Sequence, residues 1–153
     1  MTKDVLLTIC GYQSVPQDGS GQNKEPVEVI TPAVYYYKNG KHYLLYDEID
    51  PDDRQVSHNT LKMSDQYMSV TRHGAYSSQL LIESGKRNVT YYASPFGTLH
   101  ITLDGKQVEV DEHEEHITAS AFYGLEINHE HIADCEIRLI VTPRESGMNL
   151  SKI

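Results

Sequence analysis

The chain has 153 residues, of which 39% are hydrophobic and 23% charged, a composition typical of one soluble domain spanning residues 1–153. Its net charge of −9 repels nucleic-acid phosphates, and no apolar run is as long as a membrane span. We therefore expect neither nucleic acid nor a membrane as a partner. Two cysteines are too few for a disulfide framework, and the polar start does not resemble a signal peptide, so we expect a cytoplasmic location.

Short β-rich runs separated by turn signals recur along the whole chain. Asn39-Gly40 lies between two tyrosine-rich runs and favours a type I′ hairpin turn, whose central residues need positive φ. A polar loop is expected at 16–26 and a polar tail at 144–153. Eleven short segments are predicted to form about ten strands, at residues 4–15, 27–37, 42–48, 55–63, 66–73, 76–84, 88–94, 98–103, 106–111, 117–128 and 132–143.

Residues 76–110 show this pattern most clearly, because three turn signals separate four runs and so predict a β-meander. The turn signals are Gly85-Lys86-Arg87, Pro95-Phe96-Gly97 and Asp104-Gly105. The later strands alternate apolar and polar residues, which is typical of an antiparallel sheet with one wet face. Since so large a sheet must bury its apolar face and its edges, we predict an all-β, antiparallel up-and-down barrel of about eight to ten strands. A two-sheet sandwich is the alternative.

Several segments resemble one protein family. They are residues 36–48, 70–74, 78–86 and 90–97, together with the closing strands around residues 123–126. In order and spacing they resemble the YwiB-like proteins, small uncharacterised bacterial proteins with a calycin-like (lipocalin-like) barrel. The resemblance implies that barrel and a cytoplasmic bacterial protein, and it implies no catalytic residues. One departure is Asp47, where the family more often has Glu.

Arg72 is the most informative candidate for a binding residue. It shares strand phase with Met68 and Val70, so the alternation directs its guanidinium towards the apolar face. A buried charge needs a partner. Arg72 is therefore expected to pair with a carboxylate, to reach water at a barrel end, or to contact an anionic group of a ligand.

Other polar side chains could face the barrel interior beside Arg72. Gln79 and Tyr123 are candidates, and of the adjacent pair Tyr91 and Tyr92 we expect one to point inward, with Tyr92 the candidate ligand contact. All of these residues could equally serve as amphipathic packing residues.

Histidines cluster in two connections, with His113 and His116 before the strand at 117–128 and His129 and His131 after it. His129 and His131 are weak metal candidates, because two imidazoles in one turn make an open site. We expect no physiological metal and no cofactor.

The favoured function is a non-enzymatic binding module that takes a small, partly apolar or anionic ligand into the barrel. No nucleophile, acid–base pair or cofactor motif is recognisable in the sequence. The alternative is a barrel with a filled core that acts as a structural or interaction protein. Such a protein could be a homodimer formed through the tyrosine-rich hairpin at 35–46, where rigid aromatic side chains would anchor the interface.

Overall fold

A computed structural model describes residues 3–14, 26–74 and 77–144, without the side chains of residues 92–94. The predicted loop at 16–26 and the tail at 144–153 lie outside the described residues, except for Pro26 and Arg144. The strands are β1 (Lys3–Ser14), β2 (Val27–Lys38), β3 (Lys41–Ile49), β4 (Val56–Ser64), β5 (Tyr67–His73), β6 (Ser78–Glu83), β7 (Arg87–Ser94), β8 (Gly97–Glu112), β9 (Ile117–Ile127) and β10 (Glu130–Pro143).

All ten strands belong to one antiparallel sheet with the order β6-β5-β4-β3-β2-β1-β10-β9-β8-β7. Strands that follow one another in the chain are neighbours, apart from β6 and β7, and β1 pairs with β10 from Val5 opposite Pro143 to Ser14 opposite Asp134. The sheet curves into a nearly closed barrel. The all-β, antiparallel barrel prediction is thus confirmed, and the sandwich alternative is not observed in the described residues.

The up-and-down topology gives the barrel two ends. The Asn39 end carries the β2–β3 turn, the β8–β9 connection, the start of β1 and the end of β10. The Pro51 end carries the β3–β4 connection and the turns that join β5 to β6, β7 to β8 and β9 to β10. At the β2–β3 turn, Asn39 has φ 53° and Gly40 has φ 77°, as the predicted type I′ hairpin requires.

The inward-facing side chains of most strands pack into one hydrophobic cluster in the middle of the barrel. These residues alternate with solvent-facing ones, as the pleat of a half-buried strand demands. The largest fully buried side chains are Leu7, Leu44, Leu61, Met63, Met68, Ile82 and Leu139. These side chains meet in the barrel centre and fill it.

The turn predicted at Asp104-Gly105 is wrong, because β8 continues through both residues as a single strand of 16 residues. The pairing of β8 with β9 shifts register between Gly105 and Gln107, which marks a β-bulge. A Cβ on Gly105 would lie 1.9 Å from the carbonyl oxygen of Glu83. Glycine is required here because the backbone at the end of β6 crosses β8 in close contact.

This close approach also closes the barrel. The backbone N–H of Gly85 donates to the Gly105 carbonyl at 2.9 Å, and the Gly105 N–H donates to the Lys86 carbonyl at 2.8 Å. Further along β8, the Val108 N–H donates to the Ser84 hydroxyl at 2.9 Å. At the bulge, β8 therefore takes its hydrogen-bond partners from the β6–β7 turn, where an ordinary ladder would take them from a neighbouring strand.

Both cysteines are free, with Cys135 buried and Cys10 partly exposed. The Cys10 thiol lies 3.4 Å from a Glu28 carboxylate oxygen on the outer face, whereas Cys135 faces the interior. Among the described residues, no helix is long and apolar enough to cross a bilayer.

Candidate functional site at the Asn39 end of the barrel

The structure places Arg72 at the Pro51 end, where it forms an ion pair with Glu48. The guanidinium Nη2 lies 2.8 Å from Glu48 Oε1, and the two side chains are 48% and 44% exposed. Two of the expected arrangements are therefore both present, because Arg72 pairs with a carboxylate and also reaches water. A ligand contact by Arg72 stays a prediction.

Gln79 does not face the interior, which corrects the orientation expected from the sequence. It pairs with Thr71 across β5 and β6 and is exposed, whereas Leu80 and Ile82 pack against the core. The run Gln79-Leu80-Leu81-Ile82 contains three apolar residues in succession, so alternation within β6 does not reveal which side is buried. The register with β5 settles it.

Tyr91 and Tyr92 are consecutive residues of β7. Tyr91 is 65% exposed, and its ring contacts the His100 ring edge-on at 4.7 Å between centroids. The Cα register pairs Tyr92 with Leu99, whose strand phase is that of the core residue Leu103, but the side chain of Tyr92 lies outside the described residues.

Tyr123 does face the interior, where it packs against the hydrophobic core. It stands opposite Cys135 in the β9–β10 ladder. Burial raises the pKa of Tyr123 well above its usual range. Tyr123 and Gln79 line none of the three cavities described for these residues, so neither shares a pocket with Arg72 there.

The two weak metal candidates have other neighbours. The His131 Nε2 atom lies 3.3 Å from Asp134 Oδ1, and the His129 ring packs against the His100 ring at 5.7 Å between centroids. Within the part of the chain that the structure describes, His, Cys, Asp and Glu side chains form no group of three that could hold an ion.

A cavity of about 860 Å³ opens at the Asn39 end. We call it the mouth cavity, and it is lined by Tyr35 together with residues 3–5, 112–117 and 141–144. Its walls come from the start of β1, the β8–β9 connection and the end of β10. The sequence did not point to this site, because its residues are far apart in the chain and carry no recognisable motif.

A hydrogen-bonded chain of three side chains spans the barrel mouth below this cavity. The Tyr35 hydroxyl lies 2.7 Å from His42 Nδ1, and His42 Nε2 lies 3.0 Å from Glu112 Oε1. His42 is 5% exposed, whereas the Glu112 side chain is 63% exposed. The chain therefore connects a buried imidazole with solvent at one end and with the cavity wall at the other.

The local sequence explains how two members of this chain meet. The two-residue turn pairs Tyr37 with His42 and Tyr35 with Leu44, which makes Tyr35 and His42 diagonal neighbours on the inner face of the hairpin. This contact could have been derived from the Asn39-Gly40 turn. Glu112 comes from β8, which is no neighbour of β3 in the sheet, so the last contact depends on barrel closure.

Burial sets the protonation states of His42 and Tyr35. It lowers the pKa of His42 below its ordinary value, although the nearby Glu112 and Asp65 carboxylates act in the opposite direction. Burial also raises the pKa of Tyr35, and the charge of Glu112 adds to this increase. At neutral pH the imidazole and the phenol are consequently both uncharged.

Comparison with known proteins agrees with this barrel. A family model described as a domain of unknown function, DUF1934, matches residues 13–139. The chain belongs to this family. It is 28% identical over 130 residues to the "Uncharacterized beta-barrel protein YwiB" of Bacillus subtilis (strain 168), covering 85% of this chain and 88% of that protein.

The crystal structure of the ywiB protein from Bacillus subtilis has a similar fold, with a TM-score of 0.69 and 24% sequence identity. The match covers 90% of this chain and 91% of that chain. The predicted resemblance to the YwiB-like proteins is therefore confirmed. The chain is a member of an uncharacterised β-barrel family, and the descriptions of its relatives assign no activity to the family.

Proposed function

We propose that this protein is a non-enzymatic binding protein that takes a small ligand into the mouth cavity, at the barrel end and not in the barrel centre. The observation that carries the proposal is the coincidence of the open cavity of about 860 Å³ with the Tyr35–His42–Glu112 chain. Cavities of this size, with a few oriented polar groups in an apolar wall, are typical of small-molecule sites.

The chemistry of the lining supports a ligand that is partly apolar. Val5 and Val141 are buried beneath the cavity, and Ile117 lies beside them at the start of β9. The rim is made of charged residues from the β8–β9 connection and from the two chain segments that lie opposite it. A ligand with a short hydrocarbon portion and one polar group would match both surfaces.

The same geometry supports binding without a chemical step. A nucleophile or base needs a pKa near the working pH, and enzymes achieve this for tyrosine by lowering its pKa. Burial instead raises the pKa of Tyr35, so its hydroxyl stays protonated. The free cysteines accord with the proposed cytoplasmic location.

Native mass spectrometry of protein purified from its own host tests the proposal. Wild-type protein should retain a small-molecule adduct, and Ile117→Trp, which narrows the cavity at its apolar wall, should lose it. Ile140→Trp is the matched control, because Ile140 is 42% exposed on the outer face. An adduct that persists in Ile117→Trp, with thermal unfolding showing both variants folded, would place the ligand elsewhere.

A homodimer through the tyrosine hairpin is the second candidate, and one observation favours it. The Tyr36 and Tyr43 rings stack at 4.7 Å between centroids on the outer face, and the Lys62 ammonium lies 5.6 Å from the centre of the Tyr43 ring. Tyr35 and Tyr46 turn inward and are not available to a partner. Light scattering that shows a dimer in wild type and a monomer in Tyr43→Ser would favour this candidate.

A further inference from the structure

The hydrogen bonds at the barrel mouth determine what Tyr35 can offer to a ligand. A carboxylate can only accept hydrogen bonds, so the proton of neutral His42 must reside on Nε2, which donates to Glu112. His42 Nδ1 is then an acceptor and receives the hydroxyl proton of Tyr35 at 2.7 Å. The single proton of Tyr35 is therefore committed to the protein, and its oxygen, on a side chain that lines the mouth cavity, can only accept further hydrogen bonds.

We infer that the mouth cavity selects ligands carrying a hydrogen-bond donor, and in particular a protonated primary amine on a short apolar chain, with Tyr35 as the acceptor. This inference rests on the proposed function of the cavity. It gives the ligand the opposite charge from the anionic group expected at Arg72, which lies at the other end of the barrel.

The charges of the cavity rim agree with a cationic ligand. Four carboxylates line the mouth cavity, from Asp4, Glu112, Glu114 and Glu115. They face two cationic side chains, Lys3 and Arg144, so the lining is acidic on balance. A negative rim around a low-dielectric floor attracts cations and disfavours anions.

Protonation of His42 would reverse the hydrogen bond between His42 and Tyr35. An imidazolium donates from both nitrogens, so Nδ1 would donate to Tyr35 and release the hydroxyl proton towards the cavity. The charged or titratable groups that face His42 are Tyr35 and Tyr37 from β2, Glu112 from β8 and Asp65 from the β4–β5 turn. The preference for amines should consequently weaken as the solution becomes acidic.

The test uses three probes with the same hydrocarbon tail: n-butylammonium, n-butanol and n-butyrate. Their affinities for the full chain are measured at pH 7.5 from amide chemical shifts of residues 112–117. We expect n-butylammonium to bind about tenfold more tightly than n-butyrate, the factor expected of one charge-assisted hydrogen bond. The difference should shrink at pH 5.5.

Tyr35→Phe, with Tyr43→Phe as its control, separates the role of Tyr35 from the general charge of the rim. Tyr35→Phe keeps the ring and removes the acceptor, so it should weaken n-butylammonium several-fold while leaving n-butyrate within about twofold. Tyr43→Phe removes a hydroxyl from the outer face of the same hairpin and should change neither affinity. Glu112→Gln, at an exposed side chain, should also weaken amine binding, because it removes one rim carboxylate and because a Gln amide can donate to His42.

Equal affinity for n-butylammonium and n-butyrate would overturn the inference about ligand class and leave the binding site intact. An unchanged amine affinity in folded Tyr35→Phe would likewise overturn the role of Tyr35. If none of the three probes shifts residues 112–117 in wild type, the proposed function itself fails.

Discussion

The two ends of the barrel hold their polar side chains in contrasting ways. At the Asn39 end, the buried His42 connects Tyr35 to Glu112 through two hydrogen bonds. At the Pro51 end, Arg72 and Glu48 form an ion pair in which both side chains are nearly half exposed. The Asn59 amide nitrogen also donates to Glu48 Oε1 at 2.9 Å, while the buried Asn59 Oδ1 has no partner among the described residues.

We attribute this difference to burial more than to formal charge, because burial determines the free-energy cost of losing a hydrogen-bond partner. A buried imidazole that loses a partner has no water to replace it, so its cost is high. An exposed ion pair is screened and exchanges readily with water. The contacts of His42 are therefore expected to be specific, and the exposed Arg72–Glu48 pair tolerant of substitution.

The largest effect is expected at the seam that closes the barrel. Gly105→Ala places a methyl group 1.9 Å from a backbone oxygen of Glu83, which cannot move away without breaking the β6–β8 contact. We expect a loss of at least ~3 kcal/mol in the free energy of unfolding, measured by urea denaturation.

Gly11→Ala is the control for this substitution, because a methyl group at Gly11 would meet no atom within 4 Å outside its chain neighbours. Its unfolding free energy should change by less than ~1 kcal/mol. A Gly105→Ala protein as stable as Gly11→Ala would contradict the importance assigned to the close approach of Glu83 to β8.

Removal of the buried histidine is expected to have the next largest effect. His42→Leu leaves the Tyr35 hydroxyl without its acceptor and should lower the free energy of unfolding by ~1–3 kcal/mol. His58→Leu is the control, since His58 also contacts a carboxylate, Asp47 at 2.7 Å, but is 73% exposed. We expect it to cost less than ~1 kcal/mol. Equal losses in the two variants would contradict the importance assigned to burial.

Local sequence patterns correctly predicted those parts of the fold that depend on residues close together in the chain. The Asn39-Gly40 turn sets the pairing of β2 with β3, and alternation gives the inward faces of β9 and β10. Gly105 shows where such reasoning ends. Asp104-Gly105 carries a turn signature, yet the reason for glycine is the approach of Glu83 from a strand that is distant in sequence.

The candidate site was harder to predict for the same reason. Arg72 was correctly expected at a carboxylate or at a barrel end, because burying an unpaired charge is costly. Gln79 was placed on the wrong face, since an apolar run hides the strand phase. The meeting of His42 with Glu112 depends on curvature and closure of the whole sheet, which no local pattern encodes.

The pH dependence of stability should distinguish the two ends further. Burial lowers the pKa of His42 in the folded state, so the unfolded chain binds this proton more readily. His42 then contributes stability that is fully present above its unfolded pKa of about 6.5 and is lost as pH falls through the folded pKa.

Denaturation between pH 7.5 and pH 5 measures this contribution. For one proton, the slope due to His42 cannot exceed about 1.4 kcal/mol per pH unit. The slope of wild type should exceed that of His42→Gln. If His42→Gln retains the full wild-type slope, another group takes up the proton and His42 is not the cause of the pH dependence.

The smallest effect is expected for the ion pair at the Pro51 end. A double-mutant cycle with Arg72→Met and Glu48→Gln should give a coupling energy below ~1 kcal/mol that decreases further in 1 M salt. Such a weak bond would leave the Arg72 guanidinium able to exchange its carboxylate for an anionic ligand. A coupling above ~2 kcal/mol would mean that Glu48 holds Arg72 firmly. The predicted ligand contact at Arg72 would then have to compete with an occupied site, and the contrast between the two ends would disappear.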